Sequence, residues 1–420
     1  MNMISQPPAK TRAAPIMSER RVALLGGMLI AIGPVSMALY TPALPEIMDA
    51  FGTTAAAVKL TLTAYFAGFA LAQLVAGPLS DGFGRKPVTL AFMGLYVAAS
   101  VLALAAPDID TLIAARFLQG AGAAVGVAIS RAIVRDLFTH EKSARIMNMM
   151  GIILAIGPAF SPVLGGLVMQ AFGWHAIFLV MVAGGLAIVL GTLIFMRETV
   201  QRDLSRIRPL AIARAYGQLL SSRYFMLSTA LIGCSMGAIY TLASILPFVL
   251  IENAGLSATQ FGFAMLFQSG AYLVGSIVAR MLMGRFGSRG LVPIGLCFAG
   301  TGAILLAVLT RMAEPSLITV MGPVAVYAFG IAFILPAMMT ATVAPFPHIA
   351  GAASALSGFF QMGSGLVGSL VAVLIGDPLV ALSWVIPVMG FLAVCLWLIF
   401  RTLPDPVSAR VVPVVTPPAT

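Results

Sequence analysis

Twelve long, mostly apolar stretches divide this chain, at 22–44, 58–77, 87–106, 109–133, 144–170, 174–196, 224–250, 258–280, 291–311, 315–341, 350–375 and 380–401. A helix crossing the hydrocarbon of a bilayer needs about 20 such residues, so each stretch reads as one span. Composition removes the alternative of a buried soluble core. Of 420 residues 60% are hydrophobic and only 9% charged, whereas a soluble domain carries about 25% charge. Too few polar residues remain to cover a water-facing surface. The bilayer is the solvent.

One interior gap, 197–223, is long and polar, with six arginines against Glu198 and Asp203. It splits the spans six and six. The expected fold is an all-α polytopic membrane protein, with 12 transmembrane helices in two pseudo-symmetric six-helix bundles. Residues 1–21 form a cytoplasmic N-terminal tail, 22–196 the first bundle, 197–223 a cytoplasmic linker and 224–401 the second bundle. Residues 402–420, rich in proline and valine, read as a disordered cytoplasmic tail. The run from Val22 is too long for a signal-peptide core and lacks a convincing cleavage site, so it is expected to stay as the first span.

Orientation follows from the basic residues. Of 24 Lys and Arg, Lys59 and Arg311 fall on outer connections and Arg116 within a span, leaving 21 on the side of the N-terminus. Both termini are expected in the cytoplasm. The net charge of +10 is spread between apolar runs rather than clustered, which argues against nucleic acid as a partner. Cys234, Cys297 and Cys395 stand singly in apolar stretches, with neither pairing nor metal-ligand spacing.

The halves echo each other. GRKP at 84–87 and GSRG at 287–290 are offset by 203 residues, and at that offset Phe83 meets Phe286, Lys86 meets Arg289 and Gly52 meets Gly255. A duplication of this kind places a substrate cavity near the midplane, between the halves.

Several segments carry chemistry. In GPLSDGFGRKPV at 77–88, Gly77 and Gly84 permit close backbone approach and a tight turn. Asp81 can cap a neighbouring helix N-terminus, and Arg85 and Lys86 can pair with nearby acids; a basic loop that only fixes topology is the plainer alternative. In GPAFSPVLGG at 157–166, Pro158 and Pro162 each remove a backbone hydrogen bond, while Gly157, Gly165 and Gly166 let another helix approach. That pattern fits a kinked hinge or ordinary small-residue packing. Tyr40, Tyr65, Gln73, Tyr240, Gln268 and Tyr272 are polar groups within spans and candidates to line the cavity; Gln268 and Tyr272 share one helix face. The 24 Met and 25 Phe supply soft surfaces suited to varied ligands, although most must face lipid or other helices.

These segments resemble the major facilitator superfamily. Gly77, Asp81, Gly84, Arg85 and Lys86 satisfy its loop signature, with Gly82 where a basic residue is usual. RFLQGAGAA at 116–124, RAIVRDLF at 131–138, GPAFSPVLGG at 157–166 (Ser161 replacing a glycine) and YTPALPEI at 40–47 narrow the resemblance to drug–proton antiporters of the bicyclomycin and chloramphenicol resistance (Bcr/CflA) type. The resemblance implies a cytoplasmic latch of Gly77, Asp81, Gly84, Arg85, Lys86 and Asp136, and a leak-limiting hinge of Gly157, Pro158, Pro162, Gly165 and Gly166. It also implies a part for Arg116 in substrate or proton coupling.

In one respect the chain departs from those relatives. Where they carry an aspartate two residues before the first-helix tyrosine, Ala38 stands here, and every acidic residue can be placed in a loop or at a helix end. Proton coupling needs a group that titrates between two states. Glu46 is the nearest candidate, expected to meet an outward-snorkelling Arg116 and form with it the proton-coupling pair. His348 reads as an incidental loop residue.

The expected function is efflux of small amphipathic, antibiotic-like compounds across the bacterial cytoplasmic membrane by a monomer, in exchange for protons. Neither cofactor nor metal is implied. The alternative is a facilitator, or an exporter of a specific anionic metabolite without proton coupling. A membrane enzyme or receptor lacks support, as the sequence offers neither a nucleophile constellation nor an extramembrane domain. Cysteines introduced at Ser205 and Ser408 are expected to resist an impermeant reagent applied outside intact cells, and one at Asn253 to react. External labelling at Ser205 overturns the orientation.

Overall fold

The computed structural model describes residues 16–204 and 207–404, apart from the side chains of 140 and 144. The tail segments 1–15 and 405–420, and the probe positions Ser205 and Ser408, lie outside the described residues. The first half comprises α1 (Glu19–Tyr40), α2 (Leu44–Phe51), α3 (Ala55–Phe83), α4 (Arg85–Leu104), α5 (Ile109–Ala123), α6 (Val125–Leu137), α7 (His140–Phe172) and α8 (Trp174–Phe195). A 3₁₀ turn at Thr41–Ala43 joins α1 to α2 within span one, and α5 and α6 together make span four. After α9 (Pro209–Ser221) come α10 (Arg223–Pro247), α11 (Ala258–Met312), α12 (Leu317–Val343), α13 (Ala350–Ile375) and α14 (Pro378–Phe400). A π-helical turn, Phe248–Asn253, extends α10.

Eleven of these helical segments are long and apolar enough to cross a membrane. The longest, α11, has 55 residues and so runs about 80 Å at 1.5 Å per residue, more than twice the hydrocarbon thickness of about 30 Å. At Gly287 the backbone leaves helical geometry (φ 66°, ψ 167°), which divides α11 into two spans and makes twelve in all. The protein is an all-α, multi-pass membrane protein.

The 203-residue repeat is visible in the backbone. All six described glycines with positive φ fall into three pairs at that offset: Gly52 with Gly255, Gly84 with Gly287, and Gly173 with Gly376. Gly84 (φ 104°, ψ 153°) and Gly287 occupy a region closed to residues with a Cβ. Both turn the chain back between consecutive spans. The repeat extends to helix starts, where Thr54 accepts a hydrogen bond from the Ala57 N–H and Ser257 from the Gln260 N–H. It also extends to a cation that holds a helix end. Lys86 Nζ donates to the Leu193 carbonyl of α8, and its counterpart Arg289 donates to the carbonyls of Phe400, Arg401 and Leu403 at the end of α14.

Each half has its own apolar core, the first joined by Tyr240, Ala243 and Phe248 of α10. Between the halves α3 packs on α13 and α7 on α11. The expected polar linker is ordered where it is described. Asp203 N–H donates to the Gly82 carbonyl, α9 packs on α10 and α13, and Tyr216 donates to the Leu74 carbonyl at 2.6 Å. Burial there raises the Tyr216 phenol above its ordinary pKa.

Gly287 has no atom within reach of an added Cβ, so the cost of substitution there is backbone strain alone. Gly287→Ala and Gly287→Asn are both expected to destabilise by about 1–3 kcal/mol, measured as thermal unfolding in detergent. Gly52 lies in the left-handed helical region (φ 54°, ψ 39°), which asparagine tolerates, so Gly52→Asn is expected to unfold near the parental temperature.

Candidate functional site

Arg116 belongs to α5, and its side chain is fully buried (0% exposed). Its guanidinium lies 4.2 Å from the Tyr40 ring centroid and 4.4 Å from that of Tyr65, and it donates to Gln119 Oε1. Two of its nitrogens, Nε and one Nη, have no hydrogen-bond partner. Hydroxyls and amides surround it. Tyr40 shares a hydrogen bond with Thr61 at 2.8 Å, Tyr65 donates to the Gly33 carbonyl, Gln119 donates to Ser100, and Ser36 bonds Tyr96. Stacking between two aromatic faces replaces the missing counter-ion in part, because each ring presents its negative quadrupole face to the cation.

This arrangement corrects two expectations. Arg116 does not snorkel outward, and it does not meet Glu46. The Glu46 carboxylate accepts instead from the Trp174 N–H at 3.3 Å, at the start of α8, where the helix dipole favours an anion. Tyr40, Tyr65 and Arg116 are packed inside the first bundle, with at most 1% of any of them exposed, rather than lining open space.

The interface between the halves holds other expected cavity residues. Tyr240 is buried against Phe66, at 5.5 Å between ring centroids, and Gln361 reaches toward its hydroxyl at 3.5 Å. Gln73 of α3 lies against Gly358 of α13, where any side chain would overlap its amide. It borders a cavity of about 60 Å³ shared with Arg131 of α6 and with Ser354, Ser357 and Gln361 of α13. Gln268 and Tyr272 of α11 are half-buried, away from that cavity's lining. A larger apolar hollow of about 300 Å³, lined by Ala271, Phe298, Val326 and Phe329, has no polar lining side chain and lies between helices of the second half alone.

At the end of the bundle opposite the N-terminus the interface is closed. Gly166 of α7 abuts the Ala258 carbonyl of α11, Gly262 of α11 abuts Pro162 of α7, and Thr259 bonds Gln170 at 2.5 Å. Gly165 meets the Leu39 carbonyl of α1, and Gly157 faces Val35. The small-residue packing of the two expected alternatives is thus realised, within a helix that runs unbroken past Pro158 and Pro162. Lys59 was expected on an outer connection. It is instead fully buried in α3, its ammonium 5.1 Å from the Phe248 ring of the other half and without a hydrogen-bond acceptor.

At the end of the bundle that carries the N-terminus Arg85 is the centre of an ionic cluster. It is 3% exposed, 2.5 Å from Asp81 and 3.1 Å from Asp136, and also bonds Ser80. The helix-capping role open to Asp81 is not taken up at the start of α13. Asp81 is turned to Arg85, and Ile349 at the start of α13 carries no side-chain cap. Gly77 faces open space rather than a close neighbour. Sequence reasoning missed Glu198, whose carboxylate accepts from the N–H groups of Arg85 (2.8 Å) and Lys86 (3.0 Å), capping α4 from across the bundle. The missing signal was spatial: Glu198 lies 113 residues from Arg85. His348 borders Gln218 at 3.4 Å. Outside the spans, Asp108 caps α5, and the Thr111 N–H holds its carboxyl below the usual range.

Removing one carboxylate from the buried Arg85 leaves a charge with half its partners, at about 1–3 kcal/mol. Asp81→Asn and Asp136→Asn are each expected to lower transport several-fold while membrane insertion stays normal. Parental transport rates by both variants across substrate concentrations remove this cluster from the mechanism.

Comparison with known proteins agrees with this architecture. The Major Facilitator Superfamily family model matches residues 24–369. The uncharacterized MFS-type transporter YdgK of Bacillus subtilis (strain 168) is 32% identical, over 93% of this chain and 97% of its own length. A chloramphenicol resistance protein of Pseudomonas aeruginosa is 32% identical over 82% of this chain and 81% of its own. The multidrug resistance protein MdtL of Salmonella typhimurium is 28% identical over 92% and 96%. Among solved structures, the human organic anion transporter MFSD10 (TETRAN) shares the fold, with a TM-score of 0.65 at 17% identity, covering 94% of this chain and all of that one. With a family model spanning most of its length and two six-span halves related by a 203-residue repeat, the chain belongs to the Major Facilitator Superfamily of transporters.

Proposed function

We propose that this chain exports small amphipathic, antibiotic-like compounds from the cytoplasm by alternating access, with inward proton flow as the driving force. One observation carries the reading. The halves are closed on the outer side by interlocked glycines, while a cavity with polar walls lies between α3, α6 and α13 toward the cytoplasm. Arg131 and Ser354 bridge the halves beside that cavity, so loading from inside requires them to part there. The names of the chloramphenicol- and multidrug-resistance relatives support the same cargo class.

Substrate transfer is a rocking of one half against the other about the α3–α13 and α7–α11 contacts. Gly157, Pro158, Pro162, Gly165 and Gly166 let α7 slide on α1 and α11, and the Asp81–Arg85–Asp136 cluster is the cytoplasmic latch. Transport takes place in the bacterial cytoplasmic membrane, with both termini inside, and the monomer is the working unit. A second reading, a carrier for an anion without proton coupling, draws support from Arg116, which pairs with no carboxylate among the described residues.

Proton coupling is assigned to Glu46 with Arg116. In the present state the two are apart, and Glu46 holds the start of α8. Both belong to the same half, so rocking alone leaves their separation unchanged and α2 must move locally for them to interact. Proteoliposomes with an imposed pH gradient and a drug panel test the whole reading: gradient-driven accumulation is expected, and accumulation that ignores the gradient favours the uncoupled carrier. Glu46→Gln is expected to lose gradient dependence while retaining drug binding. Arg116→Lys is expected to transport poorly, since a compact ammonium cannot stack between two rings as a planar guanidinium does. Export by Glu46→Gln at the parental rate and pH dependence sinks the coupling role and leaves Glu46 as a helix cap.

A further inference from the structure

The cavity between the halves has an unusual chemical balance. Arg131, half-buried on α6, donates to Ser354 Oγ at 3.1 Å and has no ion pair among the described residues. Gln73, 5% exposed, presents an Oε1 without a hydrogen-bond partner. Ser357 and Gln361 add a hydroxyl and an amide, and Val127, Met339 and Val343 supply apolar wall. No carboxylate lines the space.

A guanidinium, two amides and two hydroxyls offer both donors and acceptors, but the only fixed charge among them is positive. They suit a group rich in acceptor oxygens, with a neighbouring N–H or O–H for Gln73 Oε1. The volume of about 60 Å³ has room for a few waters or one polar group of a ligand, with the apolar body seated when the halves part. A cation entering here would face Arg131 with no carboxylate to offset it.

We propose that the Arg131–Gln73 cavity is a recognition site for the polar head of the cargo, one that takes an anionic or neutral acceptor-oxygen group and turns cations away. The assignment rests on the export reading above and narrows its substrate class to anionic and neutral amphiphiles.

Three probes of matched size separate the charges: para-nitrobenzoate, para-nitrobenzamide and para-nitrobenzyltrimethylammonium. Equilibrium binding to the full chain in detergent, and uptake into proteoliposomes, are measured side by side. The benzoate is expected to bind at least tenfold more tightly than the ammonium, with the benzamide between them. Arg131→Gln is expected to weaken benzoate about tenfold and leave the ammonium unchanged, and Arg131→Glu to reverse the order. Gln73→Leu keeps the charge and is expected to weaken the benzamide most; it carries the test if the arginine variants fail to insert. Arg135→Gln, an exposed position one turn away, serves as the control. Binding in the expected order without uptake of any probe upholds the site and refutes export. Uptake led by the ammonium, or an equal effect of Arg131→Gln on all three probes, overturns the site while export stands.

Discussion

Hydrocarbon offers nothing to a backbone N–H or C=O, and each group left unpaired there costs several kcal/mol. Within the spans the chain must therefore stay helical, and it can turn only near the two membrane faces. The three pairs of positive-φ glycines supply six of those turns. The same constraint governs the helix starts, whose first N–H groups have no partner within the helix. Every helix that begins on the face opposite the N-terminus has a side-chain oxygen at its first turn. Thr54, Asp108, Ser257, Ser316 and Asp377 serve α3, α5, α11, α12 and α14, and Glu46 reaches across to α8. On the face of the N-terminus Glu198 does this for α4 and Ser222 for α10.

With its backbone satisfied internally, a span gains little by leaving lipid for another helix, since tails are as apolar as leucine. Association then depends on close packing. That explains why the contact between α7 and α11 is made by Gly166 and Gly262 against main chain, and why Gly165 meets α1 in the same way. An interface of this kind suits two halves that must part in every cycle, because opening it exposes small apolar surface and few broken hydrogen bonds. The Gln170–Thr259 bond is one of the few polar links on the outer side.

The span pattern, the two halves and the repeat were legible because apolar run length and glycine spacing are properties of consecutive residues. That Arg85 would meet an acid was legible because Asp81 and Asp136 fall on connections at the same end of the spans. What could not be read depends on where a long side chain points. Lys59 and Arg116 differ from a snorkelling lysine and arginine only in rotamer and in aromatic neighbours contributed by other helices, Phe248 for one and Tyr40 with Tyr65 for the other. Arg131 looked like a charge of the connection after span four, whereas it lies nearly two turns inside the end of α6 and reaches α13. Glu198 looked like an ordinary acid in a basic linker, because a cap supplied from a distant segment has no local motif.

The repeat also separates scaffold from function. Turn glycines, the Thr54 and Ser257 caps and the Lys86 and Arg289 anchors recur at 203 residues, as elements that hold each bundle together must. The membrane-embedded cations do not recur. At the same offset Lys59 corresponds to Gly262, Arg116 to Thr319 and Arg131 to Ile334, and Gly262 is itself a packing contact on Pro162. A buried guanidinium without a carboxylate is costly, and a scaffold copied without it in the other half evidently does not need it to fold. Its cost is carried by one half alone. One half supplies the three cations and the tyrosines that shield Arg116, and the other supplies Phe248 beside Lys59 and the serines and glutamine of α13 near Arg131. Arg131 and Lys59 reach the opposite half, through Ser354 and Phe248, whereas Arg116 is held by tyrosines of its own half; only the first two contacts depend on how the halves are set against each other.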